Sequence, residues 1–197
     1  MTAPDEATTR VEQVAEAALR RFARYGFKRS SMDDVAKEAG LAKATLYLHF
    51  KGKDDVFRAM LALIGRSVEA RCAAVMARSG PFTAKLAALL DAHYGTGYAC
   101  FGSGEHLVEL KSVMLSIAGD EVEAFEAIFA RHVTTLIEAA NADGAISLER
   151  SGLSRADFVA TLMRAAAGAK PVTGLSHEIY ANRLRDLAAV FAAALAR

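Results

Sequence analysis

The 197-residue chain has no tryptophan, three prolines and two cysteines. Proline stands only at Pro4, Pro81 and Pro171, so long stretches lack the residue that breaks helices. Cys72 and Cys100 have no paired spacing, which excludes a disulfide scaffold; two reduced, buried thiols are expected. No apolar run approaches the ~18–20 residues that span a bilayer. Asp5, Glu6, Glu12 and Glu16 in the first twenty residues argue against a secretory signal. A cytoplasmic chain with no membrane partner is the expectation. There is also no excess of one charge. The net charge is +1, with 11 Lys/Arg against 9 Asp/Glu in residues 1–60 and 13 against 14 beyond. That balance excludes a uniformly basic coat for nucleic acid and requires any such contact to come from a focused patch. Signatures of chemistry are missing too. The chain has no G-x-S-x-G, no phosphate-loop lysine and no zinc-ligand spacing, so neither an enzyme, a cofactor nor a metal site is expected.

What is present is apolar and alanine-rich. Hydrophobic residues make up 53% of the chain, enough for a substantial core, and the alanine content favours helix over sheet. The periodicity predicts an all-α chain of about nine helices. The first runs from Thr8 to Tyr25, with Val11, Val14, Ala15, Ala18, Leu19 and Phe22 on one face and Gly26 as its stop. The fourth runs from Asp54 to Arg78, with Phe57, Met60, Leu61, Ile64, Val68, Cys72 and Val75 as its stripe, and Gly80-Pro81 breaks it. A fifth carries Phe82, Leu86, Leu89, Leu90 and His93. Gly95, Gly97, Gly102 and Gly104 then read as breaks or bends. Four more helices are predicted over 105–117, 121–140, 154–169 and 176–196, with a loop over 141–152 and Pro171 and Gly174 between the last two.

Residues 31–50 hold the densest signal. Ser30 or Ser31 can cap a short helix whose first turn carries Asp33 and Asp34, where carboxylates favour the positive dipole end. Val35, Ala36 and Ala39 form its buried side, and Ala36 is small where a second helix crosses. Gly40 suits a left-handed helix end. A second short helix spans Lys43 to His49, with Leu46 and Phe50 inward. Lys43, Ala44, Thr45, Leu48 and the edge of Tyr47 face out, and Lys51 and Lys53 follow. Such a helix can lie in a DNA groove with polar side chains meeting phosphates on either side.

At Phe22 to Phe27, Ser31-Met-Asp-Asp-Val-Ala, Ala39-Gly40 and Lys43-Ala-Thr-Leu-Tyr-Leu-His-Phe with Lys51 and Lys53, the chain resembles the tetracycline-repressor (TetR) family of bacterial transcriptional regulators. The resemblance covers Val11 to Phe57. It implies a three-helix DNA-binding head over 1–53 and a ligand-binding and dimerisation domain over 54–197. It implies that Lys43, Ala44 and Thr45 face bases or nearby phosphates, that Tyr47, His49 and Lys53 clamp the backbone, and that Leu48 and Lys51 lie in the same interface. Two residues depart from the pattern. Ala42 stands at the capping position of the second helix, where the family has Ser or Thr, and Leu48 stands where it often has an aromatic.

The resemblance further implies a double-stranded operator, a homodimer built on the last two helices, and a small apolar or amphipathic effector that releases a repressor from DNA. A ligand-independent regulator or activator is the alternative, and an all-α enzyme or carrier a remote one. His93 and His132 lie on apolar stripes, with Tyr94, Tyr98 and Met114 nearby in sequence. They read either as hydrogen-bonded core residues or as the lining of an effector pocket. Gly168 with Leu184, Leu187, Phe191 and Leu195 are the candidates for the dimer interface. His106 and Glu109 are spaced i, i+3, but a carboxylate-bridged metal bundle needs that motif twice, so a solvated pair is expected.

Overall fold

A computed structural model describes residues 6–101, 106–170 and 176–197. Gly102, Gly104, Glu105, Pro171 and Gly174, which the sequence marks as breaks or a helix start, lie outside the described residues. Within them every regular element is helical. The order is Glu6–Tyr25 (α1), Met32–Ala39 (α2), Lys43–His49 (α3), Lys53–Ala77 (α4), Phe82–Leu90 (α5), a π-helical turn at Asp91–Gly95, Thr96–Phe101 (α6), Leu107–Ile117 (α7), Gly119–Ala142 (α8), a 3₁₀ turn at Leu148–Ser151, Arg155–Gly168 (α9) and His177–Ala193 (α10). The fold is all-α. Because α5, the π turn and α6 follow one another without interruption, the described residues form nine continuous rods. No helix among them is long and apolar enough to cross a membrane.

Gly95 and Gly97 therefore interrupt no helix, contrary to a reading of them as breaks, although Gly95 closes the π-helical turn. A Cβ on Gly95 would lie 2.5 Å from Asp91 Oδ1 and 3.6 Å from His177 Nε2. Glycine here makes room inside a helix rather than ending it. The predicted loop over 141–152 contains the 3₁₀ turn, and α8 runs two residues past Ala140 before it.

Two compact units arise, Met1–Arg66 with Cys100–Ala124, and Ser67–Ala99 with Phe125–Arg197. In the first, Val14, Ala15, Ala18 and Phe22 of α1 are buried as the stripe predicts. Phe22, Phe27 and Phe57 form an aromatic knot, with ring centroids 5.3 Å (Phe22–Phe27), 5.2 Å (Phe27–Phe57) and 6.0 Å (Phe22–Phe57) apart. Such pairs contribute about 0.5–1.5 kcal/mol each beyond their burial. The knot ties the end of α1, the loop after it and the start of α4 into one body. Ala36 is buried where α2 meets its neighbours, in keeping with a small residue at a close crossing.

In the second unit, Leu86, Leu89 and Leu90 of α5, Phe129, Val133, Leu136 and Ile137 of α8, Phe158 and Leu162 of α9, and Tyr180, Leu184 and Ala188 of α10 make the core. Ser154 and Ser176 cap α9 and α10, each hydroxyl accepting from a backbone N–H three residues on, at 3.1 and 3.4 Å. Helix α10 packs chiefly on α5 and also on α9. This packing corrects part of the predicted dimer stripe. Leu184 and Leu195 have no exposed surface within one chain, because they close its own core. Leu187 and Phe191 are half-buried, Gly168 is exposed, and the open apolar side chains of α10 are Ile179 and Val190, the latter 65% exposed.

Candidate functional site

Helices α2 and α3 are joined at Gly40, whose φ of 67° is the left-handed conformation the turn requires. The N-terminus of α2 is closed twice. Ser31 Oγ accepts from the Asp34 N–H at 3.2 Å, and the Asp34 carboxylate accepts from the Ser31 N–H at 2.9 Å. These bonds to Ser31 hold the Asp34 carboxyl below the usual carboxylate range. Ser31 is thus the cap. Ser30 is buried and donates its hydroxyl to Gly26 O at 2.7 Å instead. Helix α3 has no such closure. Ala42 occupies its N-cap position with the backbone of a cap but no side chain to complete it.

Packing holds α3 in place of caps. Leu46 is wholly buried and Phe50 nearly so, which turns the opposite face to solvent. On that face Tyr47 is 48% and Leu48 81% exposed. Lys43, Ala44, His49 and Lys51 are exposed and Thr45 is half-buried. All eight predicted side chains thus fall in one short segment, but two lysines are engaged. Lys43 Nζ lies 2.7 Å from Asp33 Oδ1, a bond that raises its pKa. Both partners are exposed, so a phosphate can compete for the ammonium. Lys53 is engaged more firmly. Its Nζ donates to Phe27 O at 2.8 Å and Ser30 O at 2.9 Å and sits 4.2 Å from the Phe27 ring centroid. Burial pushes its pKa down. The backbone clamp implied for Lys53 is corrected by this geometry, which turns the ammonium inward onto the loop between α1 and α2.

That loop has a second holder, one the sequence reading assigned to solvent. Glu109 Oε1 on α7 accepts from the Lys28 N–H at 2.6 Å, with His106 Nδ1 3.6 Å from its other oxygen. No motif links a carboxylate to a backbone N–H 81 residues earlier, so nothing local in sequence could have marked it.

The second unit gathers three of the five predicted ligand residues on the π turn and α6. His93, Tyr94 and Tyr98 are all buried. The His93 ring is packed among Tyr94, Phe125 and Phe129, at centroid distances of 4.6, 4.3 and 5.3 Å. Neither of its ring nitrogens has a hydrogen-bond partner, nor has Thr96 Oγ1 three residues on. Burial, then the nearby Lys170 charge, drives the His93 pKa down to about 3, so the imidazole is neutral. The nearest carboxylate, Glu126, is 3.9 Å away and accepts from the Tyr94 hydroxyl at 3.3 Å. Burial raises the Glu126 pKa. Tyr98 stacks near Tyr180, whose hydroxyl donates to Ala166 O at 3.0 Å. A π turn carrying an unsatisfied histidine is the kind of irregular helix that accompanies ligand sites. No contact with His93 is seen for the other two predicted residues among the described residues. His132 pairs with Glu69 at 3.0 Å, and Met114 belongs to the first unit. Glu126, Thr96 and Tyr180 were not found from sequence. Only Thr96, spaced i, i+3 from His93, carries a local signal.

Residues 14–60 match the family described as bacterial regulatory proteins, tetR family. The chain is 33% identical over 73 residues to the uncharacterized HTH-type transcriptional regulator YhgD of Bacillus subtilis (strain 168), covering 37% of this chain and 38% of that protein. It therefore spans about two fifths of the length of that relative. It is 31% identical over 91 residues to the uncharacterized HTH-type transcriptional regulator TtgW of Pseudomonas putida, covering 46% of this chain and 67% of that protein. The crystal structure of a transcriptional regulator from Cytophaga hutchinsonii aligns with a TM-score of 0.74 at 18% identity, over 94% of this chain and 98% of that one. At that identity the likeness concerns the fold.

Proposed function

The chain belongs to the tetR family of bacterial regulatory proteins, and from that premise we propose that it is a transcriptional repressor that binds a palindromic operator as a homodimer and leaves it when a small apolar or amphipathic effector binds. The observation that carries the DNA reading is the outward face of α3. A short helix anchored by Leu46 and Phe50 presents Ala44, Tyr47 and Leu48, with Lys43 near one end and His49 and Lys51 at the other. Such a helix suits the major groove, with Tyr47, His49 and Lys51 placed for phosphates. The reading part falls within residues 1–53, and effector binding and pairing fall within 54–197.

One α3 reads too few bases for useful specificity, and a two-fold pair doubles the site. The pairing surface is α9 and α10, through Leu187, Phe191 and the exposed Val190, with Gly168 allowing close approach. The effector site is the His93 region. Bringing a hydrogen-bonding group to His93 or Thr96 satisfies atoms that the chain leaves unpaired, and the surrounding rings favour an otherwise apolar molecule. Helix α4 is continuous from Lys53 to Ala77, so its first residues belong to the first unit and its last to the second. An effector that displaces the later part acts on the earlier part through one helix. The coupling needed is modest. A hundredfold loss of operator affinity corresponds to about 2.7 kcal/mol between the two states.

The test is selection of bound duplexes from a random library, sizing of the complex, and a small-molecule screen for release. A palindrome bound by two chains, with affinity falling steeply as salt rises and lost with a screened compound, is the expected result. Failure to enrich any duplex ends the DNA reading. An enriched operator that no compound releases points instead to a ligand-independent regulator.

A further inference from the structure

We propose that Leu48, with Ala44 beneath it, reads the 5-methyl group of a thymine in the major groove and so fixes one base position in each half-site. This rests on the DNA-binding reading above and adds which base chemistry α3 selects. Ala44 and Leu48 are four residues apart in α3 and so lie on one helix face. Both are exposed, and Leu48, at 81%, is the most open of the large apolar side chains among the described residues. Of the polar side chains beside that line, Tyr47 and His49 are placed above for phosphates. Thr45 is half-buried, and Lys43 leans back to Asp33.

An isobutyl side chain neither donates nor accepts a hydrogen bond. It is blind to the guanine N7 and O6, the adenine N7 and N6 and the cytosine N4 groups that polar side chains read. The one apolar feature on the major-groove edges is the thymine methyl. The flanking charge decides the occupant. Lys43 begins the helix and Lys51 follows its end, both exposed, so the apolar strip sits between two cations. That pattern complements a groove walled by phosphates and is ill suited to an apolar protein partner. Ala44 supports the same role by its size. A long side chain one turn before Leu48 would hold the helix off the base edges.

The experiment uses the full chain and its selected operator, with each thymine of the half-site replaced singly by uracil, which removes only the methyl group. At one position the replacement is expected to lower affinity about three- to tenfold, the effect of losing one buried methyl at a reading contact. With Leu48→Ala the same replacement should cost less than twofold, because the two changes remove one shared contact and are not additive. Leu48→Gln should shift the preference at that position toward adenine. Leu48 is open to solvent, so these variants are expected to melt as the wild type does. The inference is overturned if no thymine responds, or if the loss is the same in the wild type and Leu48→Ala. A wild-type chain that enriches no duplex overturns the DNA-binding reading and this one together, whereas an operator indifferent to its methyl groups overturns this one alone.

Discussion

The two units treat their buried polar groups in opposite ways. In the first, the buried Ser30 and the half-buried groups described around α1 to α3 are satisfied. Ser30 donates to Gly26 O, Gln13 Nε2 donates to Ala39 O at 2.8 Å, Lys53 holds two carbonyls, and Glu109 takes the Lys28 N–H. In the second, Tyr180 is satisfied, but His93 and Thr96 are left with atoms unpaired inside an aromatic shell. An unsatisfied buried group costs roughly 1–3 kcal/mol. On the function proposed above, the difference matches two kinds of recognition. A helix that reads bases must be held in one place, so its surroundings are completed in advance. On the function proposed above, the His93 region keeps polar capacity in reserve for an effector to complete.

The largest expected effect comes from breaking the completed side. Gly26 has φ +82°, and a Cβ there would lie 2.6 Å from Glu109 Oε2 and 2.9 Å from His106 Nδ1. Gly26→Ala is expected to lose about 1–2 kcal/mol, chiefly the left-handed penalty, with displacement of the carboxylate that holds Lys28. Urea unfolding measures it, and operator affinity should fall alongside. A loss below about 1 kcal/mol would mean that the loop tolerates slack, and the contrast between the units would weaken.

An intermediate effect tests the incomplete side. The His93 pKa is about 3 in the fold against an ordinary 6.5. Between those values the unfolded chain binds a proton that the folded chain refuses. Stability is therefore full above about pH 6.5 and falls as the pH drops toward 3. Glu126, whose pKa is raised, acts with the opposite sign nearer the carboxylate range, so the cleaner window is pH 7 to 5.5. Across it the wild type should lose about 1 kcal/mol more than His93→Phe, which removes the titrating ring but keeps a planar apolar shape. Groups common to both proteins cancel in this difference. Parallel pH curves would show that His93 finds partners in solution, and that the reserve of polar capacity is not there.

Legibility in the sequence follows the same division. The fold class, the stripes of α1 and α4, the Gly40 turn, the Ser31 cap and the exposed face of α3 all rest on interactions within a few residues, and periodicity or cap chemistry records them. What sequence missed is non-local. The Glu109 bond to Lys28 and the Lys53 bonds to Phe27 O and Ser30 O are made with backbone groups, which leave no trace in side-chain identity. The same holds for α10. Its apolar stripe could face a partner or its own core, and only the packing of α10, chiefly on α5, assigns Leu184 to the core. Gly95 misled for a different reason. A glycine is read locally as a breaker, whereas a Cβ at Gly95 would lie 2.5 Å from the Asp91 carboxylate four residues earlier, so glycine leaves room for that side chain within the helix.

The smallest effect sharpens the contrast within the head itself. Helix α2 carries a reciprocal cap and a left-handed glycine, whereas α3 carries neither and is held by Leu46 and Phe50. Ala42 already has the extended backbone of an N-cap, φ −68° and ψ 144°, so Ala42→Ser changes only the missing hydroxyl. The hydroxyl can accept from a backbone N–H in the first turn of α3, which is expected to add about 0.5–1 kcal/mol of stability in urea unfolding. The magnitude decides between two descriptions of the reading helix. A gain in that range means that the first turn of α3 is held loosely in the free protein, an order that DNA contacts would complete on the function proposed above. No gain means that packing alone fixes α3 through its first turn. The three-helix head would then be as rigid at α3 as at α2.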